Sequence, residues 1–132
     1  MQGNSKTMKI VGWVLSVLAI LFLTLDEGAK LFKPAPVVEA FATLQIPASL
    51  IVSVGVLGLV CTLIYAIPQT AFLGAILLTG FLGGAISIHM RHGDPLFNLL
   101  FPGIIGLFVW GGLFLRDSRL RTLIPLVSTN RE

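Results

Sequence analysis

The segment from Ile46 to Met90, IPASLIVSVGVLGLVCTLIYAIPQTAFLGAILLTGFLGGAISIHM, contains no Asp, Glu, Lys or Arg and is interrupted only by Pro68 and Gln69 near its middle. It divides into two apolar blocks, about 46–67 and 70–90, each long enough to cross a hydrocarbon layer roughly 30 Å thick. Pro47 is tolerated in a first helical turn and Pro68 ends the helix that follows it. A connection this short predicts an antiparallel helical hairpin.

Two more blocks flank the hairpin. The one at about 96–115 follows the polar segment His89 to Pro95 and stops at Arg116, Asp117, Ser118 and Arg119. The other, Ile10 to Leu25, covers only about 24 Å as a helix, so Met8 and a snorkelling Lys9 extend the expected span to 8–25. No small-x-small cleavage site follows it, which favours a retained span over a cleaved signal peptide. Of the 132 residues 55% are hydrophobic and 11% charged, with mean hydropathy +0.95. A soluble bundle of such blocks would have no solvated face. The predicted fold is therefore all-α: a four-helix transmembrane bundle, one membrane domain over residues 1–132, with a basic cytoplasmic tail at 116–132.

Between Asp26 and Ile46, the run Lys33-Pro34-Ala35-Pro36 breaks the chain, after which Val37, Val38, Phe41 and Leu44 recur at helical spacing. That pattern predicts a short amphipathic surface helix between spans one and two. Lys6, Lys9, Arg116, Arg119, Arg121 and Arg131 fall on one side of a four-span chain, and Lys30, Lys33 and Arg91 on the other. The excess places both termini in the cytoplasm of a bacterial-type inner membrane and the polar connections outside. The net charge of +3 thus reports topology rather than nucleic-acid binding, for the basic residues form no continuous stripe. A single cysteine, Cys61, excludes an internal disulfide or a CxxC redox pair.

Within the membrane, small residues at four-residue spacing mark helix contacts. The third span carries the row Ala75, Thr79, Gly83, Ser87 beside Gly80 and Gly84, which predicts a centrally packed helix or a homo-oligomer face; the second span offers Ser49, Ser53, Gly55, Gly58 and Thr62, and the fourth Gly103, Gly106, Gly111 and Gly112. Pro102 leaves the Asn98 carbonyl without its helical donor, predicting a kink and a polar spot near the outer surface. Trp13, Tyr65 and Trp110 read as interfacial anchors.

Chemistry concentrates at the outer ends of the spans. Asp26, Lys30, His89, Arg91, His92, Asp94 and, below them, Asn98 are the candidate ligand-binding residues, at the mouth of a pocket between spans one, three and four. An apolar cavity with a few polar groups at one end suits an amphipathic ligand. Its residue set can equally form a polar cap, with Asp26 or Glu27 bridged to Lys30 or Arg91. His89 and His92, with Asp94 or Glu27, lack the spacing of a defined four-ligand site, so no metal is expected. No phosphate loop, GxSxG elbow or HExxH helix occurs, and no catalytic residue is assigned.

The run Ile67-Pro68-Gln69-Thr70-Ala71-Phe72-Leu73-Gly74 through Ala85, followed by His89-Met90-Arg91-His92-Gly93-Asp94-Pro95, resembles the signature of the DoxX-like family of small four-span membrane proteins. Gly28-Ala29-Lys30-Leu31-Phe32 is similar to the G-x-K-L-F element that follows span one in that family. The resemblance extends from about Ile10 to Pro125. It implies a membrane bundle with a polar cluster at one end and association with redox or detoxifying partners; the family name derives from subunits linked to thiosulfate:quinone oxidoreduction. The resulting expectation is an accessory or non-catalytic membrane component of a redox-linked assembly. The alternatives are a quinone- or lipid-binding oxidoreductase subunit and, less favoured, a small-molecule transporter. No cofactor is evident beyond a candidate quinone; the expected partners are the bilayer, a membrane or redox protein, and a second copy of the chain.

Overall fold

A computed structural model describes residues 2–127, so the end of the predicted basic tail, residues 128–132, lies outside the described residues. Helix α1 spans Gln2–Lys30, α2 Ala35–Thr43, α3 Ile51–Ala66, α4 Ala71–His92, α5 Leu96–Arg116 and α6 Ser118–Arg121. Single 3-10 turns, Ala48–Leu50 and Pro68–Thr70, lead into α3 and α4. Four segments are long and apolar enough to cross a membrane: Ser5–Lys30, Ala48–Ala66, Pro68–His92 and Leu96–Arg116. The four blocks read from the sequence are thus four helices. The first extends beyond its expected end, because Asp26 to Lys30 continue α1 rather than opening a loop.

The helices form a ring in which α1 lies between α3 and α5, and α4 closes the other side between the same two. Leu23, Tyr65, Ala75, Leu78, Val109 and Leu113 are at the centre. Large apolar residues such as Leu21, Leu63, Leu73 and Leu107 point outward, as expected where lipid is the solvent. The turn into α4 is fixed by the Thr70 hydroxyl, which donates to the Ile64 carbonyl at 2.7 Å.

Close helix approach uses three of the expected glycines, Gly55, Gly58 and Gly112, together with Gly12 and Gly74, but not those expected on the third span. A Cβ on Gly12 would sit 2.7 Å from the Gly112 carbonyl oxygen, so α1 and α5 meet backbone to backbone there. A Cβ on Gly74 would collide with the backbone of Tyr65, which seats α4 against α3. Gly80, Gly83 and Gly84 instead have nothing within 4 Å of an added Cβ. The predicted GxxxG pair of α4, Gly80 and Gly84, is therefore not a helix contact among the described residues. Small-residue spacing shows which faces permit approach; the location of the neighbouring backbone determines which are used.

Tyr65 also departs from expectation. It is fully buried, not an interfacial anchor. Arg116 Nε donates to Ser16 Oγ at 3.1 Å, Ser16 Oγ lies 2.8 Å from Tyr65 Oη, and Tyr65 donates to the Val109 carbonyl at 2.6 Å. The chain of bonds links α5, α1 and α3 and satisfies the tyrosine hydroxyl inside an apolar core. Trp110 is half-buried and donates Nε1 to the exposed Thr79 Oγ1 of α4 at 2.6 Å, and Trp13 is 41% exposed. The predicted surface helix is α2, with Phe41 buried and Val37, Val38 and Leu44 half-buried. α5 runs through Pro102 as one helix, with the proline buried.

Candidate functional site

On α1 the buried positions recur as Gly12, Ser16, Ala19, Leu23 and Glu27, at steps of four, three, four and four, which is the inward seam of a helix in a bundle. The seam carries a carboxylate into the protein: Glu27 is only 2% exposed. Lys30, one turn on, donates to Glu27 Oε1 at 2.8 Å and to Asp26 Oδ2 at 3.2 Å. α3 accommodates the pair by lacking side chains where it passes. A Cβ on Gly58 would lie 2.6 Å from Glu27 Cγ, and one on Gly55 2.9 Å from Lys30 Cβ. Glu27 Oε2 is buried with no hydrogen-bond partner among the described residues.

This group forms the polar end of a cleft of about 650 Å³. Asp26, Glu27 and Lys30 from α1 and His89 from α4 are its ionisable lining residues. The remaining wall is apolar: Phe22, Phe81, Phe101 and Ile105 within the bundle, with Phe41 of α2 and Leu44 just after it across the opening. Phe22 and Phe101 meet edge to face with centroids 5.1 Å apart. Gly80 and Gly84 line the cleft as well, and their missing side chains help to keep it open.

The end of α4 is closed by a glycine turn. Gly93 adopts φ 80°, its N–H bonds to the Met90 carbonyl at 3.1 Å, and the Asp94 N–H bonds to the His89 carbonyl at 3.1 Å. The turn brings Asp94 back over the helix, where its two oxygens meet Nδ1 of His89 and Nδ1 of His92, each at 2.5 Å. The imidazoles hold the Asp94 carboxyl below its ordinary value, His89 contributing most and His92 next. With Nδ1 committed to Asp94, His89 retains Nε2 for other partners.

A model of the DoxX-like family matches residues 14–112. The chain belongs to the DoxX-like family. No curated protein and no solved structure matches it. The matched residues of this DoxX-like chain include all four ionisable residues of the cleft and the entire His89 to Asp94 turn.

Of the sequence-predicted residues, Asp26, Lys30 and His89 meet in the cleft of the DoxX-like protein. Asp94 and His92 are joined to that wall only through His89. Arg91 is exposed and makes no ion pair among the described residues, so the predicted bridge from Asp26 or Glu27 runs to Lys30 and not to Arg91. Asn98 is half-buried in the first turn of α5 and is not part of the wall; Pro102 is. Reading from the sequence left Glu27 out of the site, although its place on the seam of α1 signals it.

Proposed function

We propose that this DoxX-like protein is a non-catalytic, ligand-holding component of a redox-linked membrane assembly, and that its cleft receives the head of a neutral amphipathic molecule of the quinone class. The observation carrying this reading is the Lys30 ammonium at the polar end of an apolar cleft. Two of its three N–H donors are taken by Asp26 and Glu27, which leaves one for a ligand carbonyl. The Lys30 ammonium is already matched by the neighbouring Asp26 and Glu27 carboxyl groups, so it offers no uncompensated charge to an anionic head such as a carboxylate or a sulfur oxyanion. The phenylalanine walls match an apolar ring and tail.

Carboxylates, an ammonium and an imidazole bind and exchange protons but carry no electrons. Electrons of a bound quinone would therefore pass to a partner protein, which is the sense in which the component is accessory. The distribution of Lys and Arg supports a cleft facing away from the cytoplasm, in a bacterial-type inner membrane with both termini inside.

Gly84 supplies the test, because it lines the cleft and a side chain there meets nothing in the fold. Gly84→Leu is expected to keep the melting temperature of the purified protein while weakening retention of a short-chain benzoquinone analogue in nanodiscs about tenfold, worth ~1.4 kcal/mol. Lys30→Met should weaken it as well. Equal retention by the parent protein and Gly84→Leu would remove the cleft from consideration.

A further inference from the structure

The opposite end of the bundle has the reverse charge. Lys6 and Lys9 are exposed on the first turns of α1 and make no ion pair among the described residues. Below them a shallow, open groove runs along the outer face of α1, bounded on that helix alone by Ile10, Trp13, Val14, Val17 and Leu18. Trp13 is also the ring on which Arg116 rests, with the guanidinium carbon 4.0 Å from the ring centroid. That approach is possible because Gly12 and Gly112 bring α1 and α5 into backbone contact one turn away. Arg116 spends Nε on Ser16, and its buried Nη2 has no hydrogen-bond partner among the described residues. The residue that follows it, Asp117, is taken by Arg119 at 2.9 Å.

We propose that this groove is a site for one anionic phospholipid, its phosphate held by Lys6 and Lys9 and an acyl chain laid along Trp13, Val14, Val17 and Leu18. The occupant follows from the arrangement: uncompensated cations at one end of an apolar trough, with an aromatic ring at the level where head group and chain meet. A zwitterionic lipid fills the trough equally well but brings its own ammonium to the lysines. The selectivity is thus electrostatic and is screened by salt. This site is independent of the cleft at the other end and of any ligand there.

Trp13 is a built-in reporter. In Trp110→Phe protein reconstituted into phosphatidylcholine vesicles, Trp13 emission is measured while dibrominated phosphatidylglycerol or dibrominated phosphatidylcholine replaces part of the host lipid. Dibrominated phosphatidylglycerol should show an apparent association about threefold or more stronger than dibrominated phosphatidylcholine at low salt. The preference should disappear in Lys6→Gln/Lys9→Gln, whose exposed positions leave the fold intact. Equal quenching by the two lipids in the parent protein overturns the proposal, as does a preference that survives loss of both lysines. Abolition of the preference by millimolar inorganic phosphate overturns the lipid assignment in favour of a free phosphate.

Discussion

Glu27 stands about eighteen residues beyond Lys9 on one helix, roughly 27 Å along its axis, so it lies near the far edge of the hydrocarbon layer. A carboxylate there needs a partner, and Lys30 provides it. The pair further depends on two absent side chains, at Gly55 and Gly58. Gly58→Ala would force a methyl group to within 2.6 Å of Glu27 Cγ and 2.7 Å of Oε2. A destabilisation of about 1–3 kcal/mol is expected, visible as a lower melting temperature in detergent. The matched control is Gly84→Ala, which meets nothing and should stay within about 0.5 kcal/mol; equal effects would show that the seat for Glu27 is not tight. Charge alone in the sequence assigns Glu27 to a loop, because it follows the apolar run. The spacing from Gly12 through Leu23 assigns it to the seam, and the seam is what the fold follows. Tyr65 was not legible in this way: a tyrosine two residues before the end of a span has the same pattern whether it anchors at the interface or turns inward to Ser16 and Val109.

At the level of elements, hydropathy was sufficient to locate the spans, since burial in lipid requires nothing more of a helix than length and apolarity. Which faces pair was legible only in part: Gly55, Gly58 and Gly112 are contacts, whereas Gly80, Gly83 and Gly84 of α4 permit approach and no helix among the described residues makes it. The end of α4 is different, because His92-Gly93-Asp94 carries its own instructions: a left-handed glycine cap and a carboxylate that returns to two imidazoles. The lowered Asp94 ionisation fixes the sign of its pH dependence. A carboxyl held below its unfolded value contributes to holding the turn at all pH above the ordinary aspartate range. That contribution falls away as pH drops through the ordinary range to the lowered folded value. The Asp94 carboxyl carbon shift in nanodiscs should therefore show its carboxylate transition with a midpoint below the ordinary aspartate range. Asp94→Asn should abolish that acidic transition while keeping the cap, whose hydrogen bonds come from the backbone. A midpoint at or above the ordinary aspartate value would separate Asp94 from the histidines.

For the whole molecule, the two polar ends are opposite in character: the cleft end holds Asp26, Glu27, Lys30 and His89, and the other end holds Lys6, Lys9 and Arg116. A bilayer distinguishes such ends, because cytoplasmic loops retain an excess of Lys and Arg and the cytoplasmic leaflet carries anionic lipid. The cleft can form only if the end of α1 and the end of α4 emerge on the same side, since their side chains share one wall. Lys33 and Arg91 are exposed beside those ends, and Gln69 is exposed in the turn between α3 and α4. Single cysteines at these positions on a Cys61→Ser background, treated with an impermeant maleimide on intact spheroplasts, convert the geometry into a readout. Lys33→Cys and Arg91→Cys should label from outside, and Gln69→Cys only after permeabilisation. If all three reverse together, the bundle is intact and inserted the other way, contrary to the charge count but compatible with the cleft. Opposite labelling of positions 33 and 91 has a harsher consequence. One of the helices would then not cross the bilayer, Glu27 and His89 would stand on different sides of it, and neither the cleft nor a ligand within it could exist.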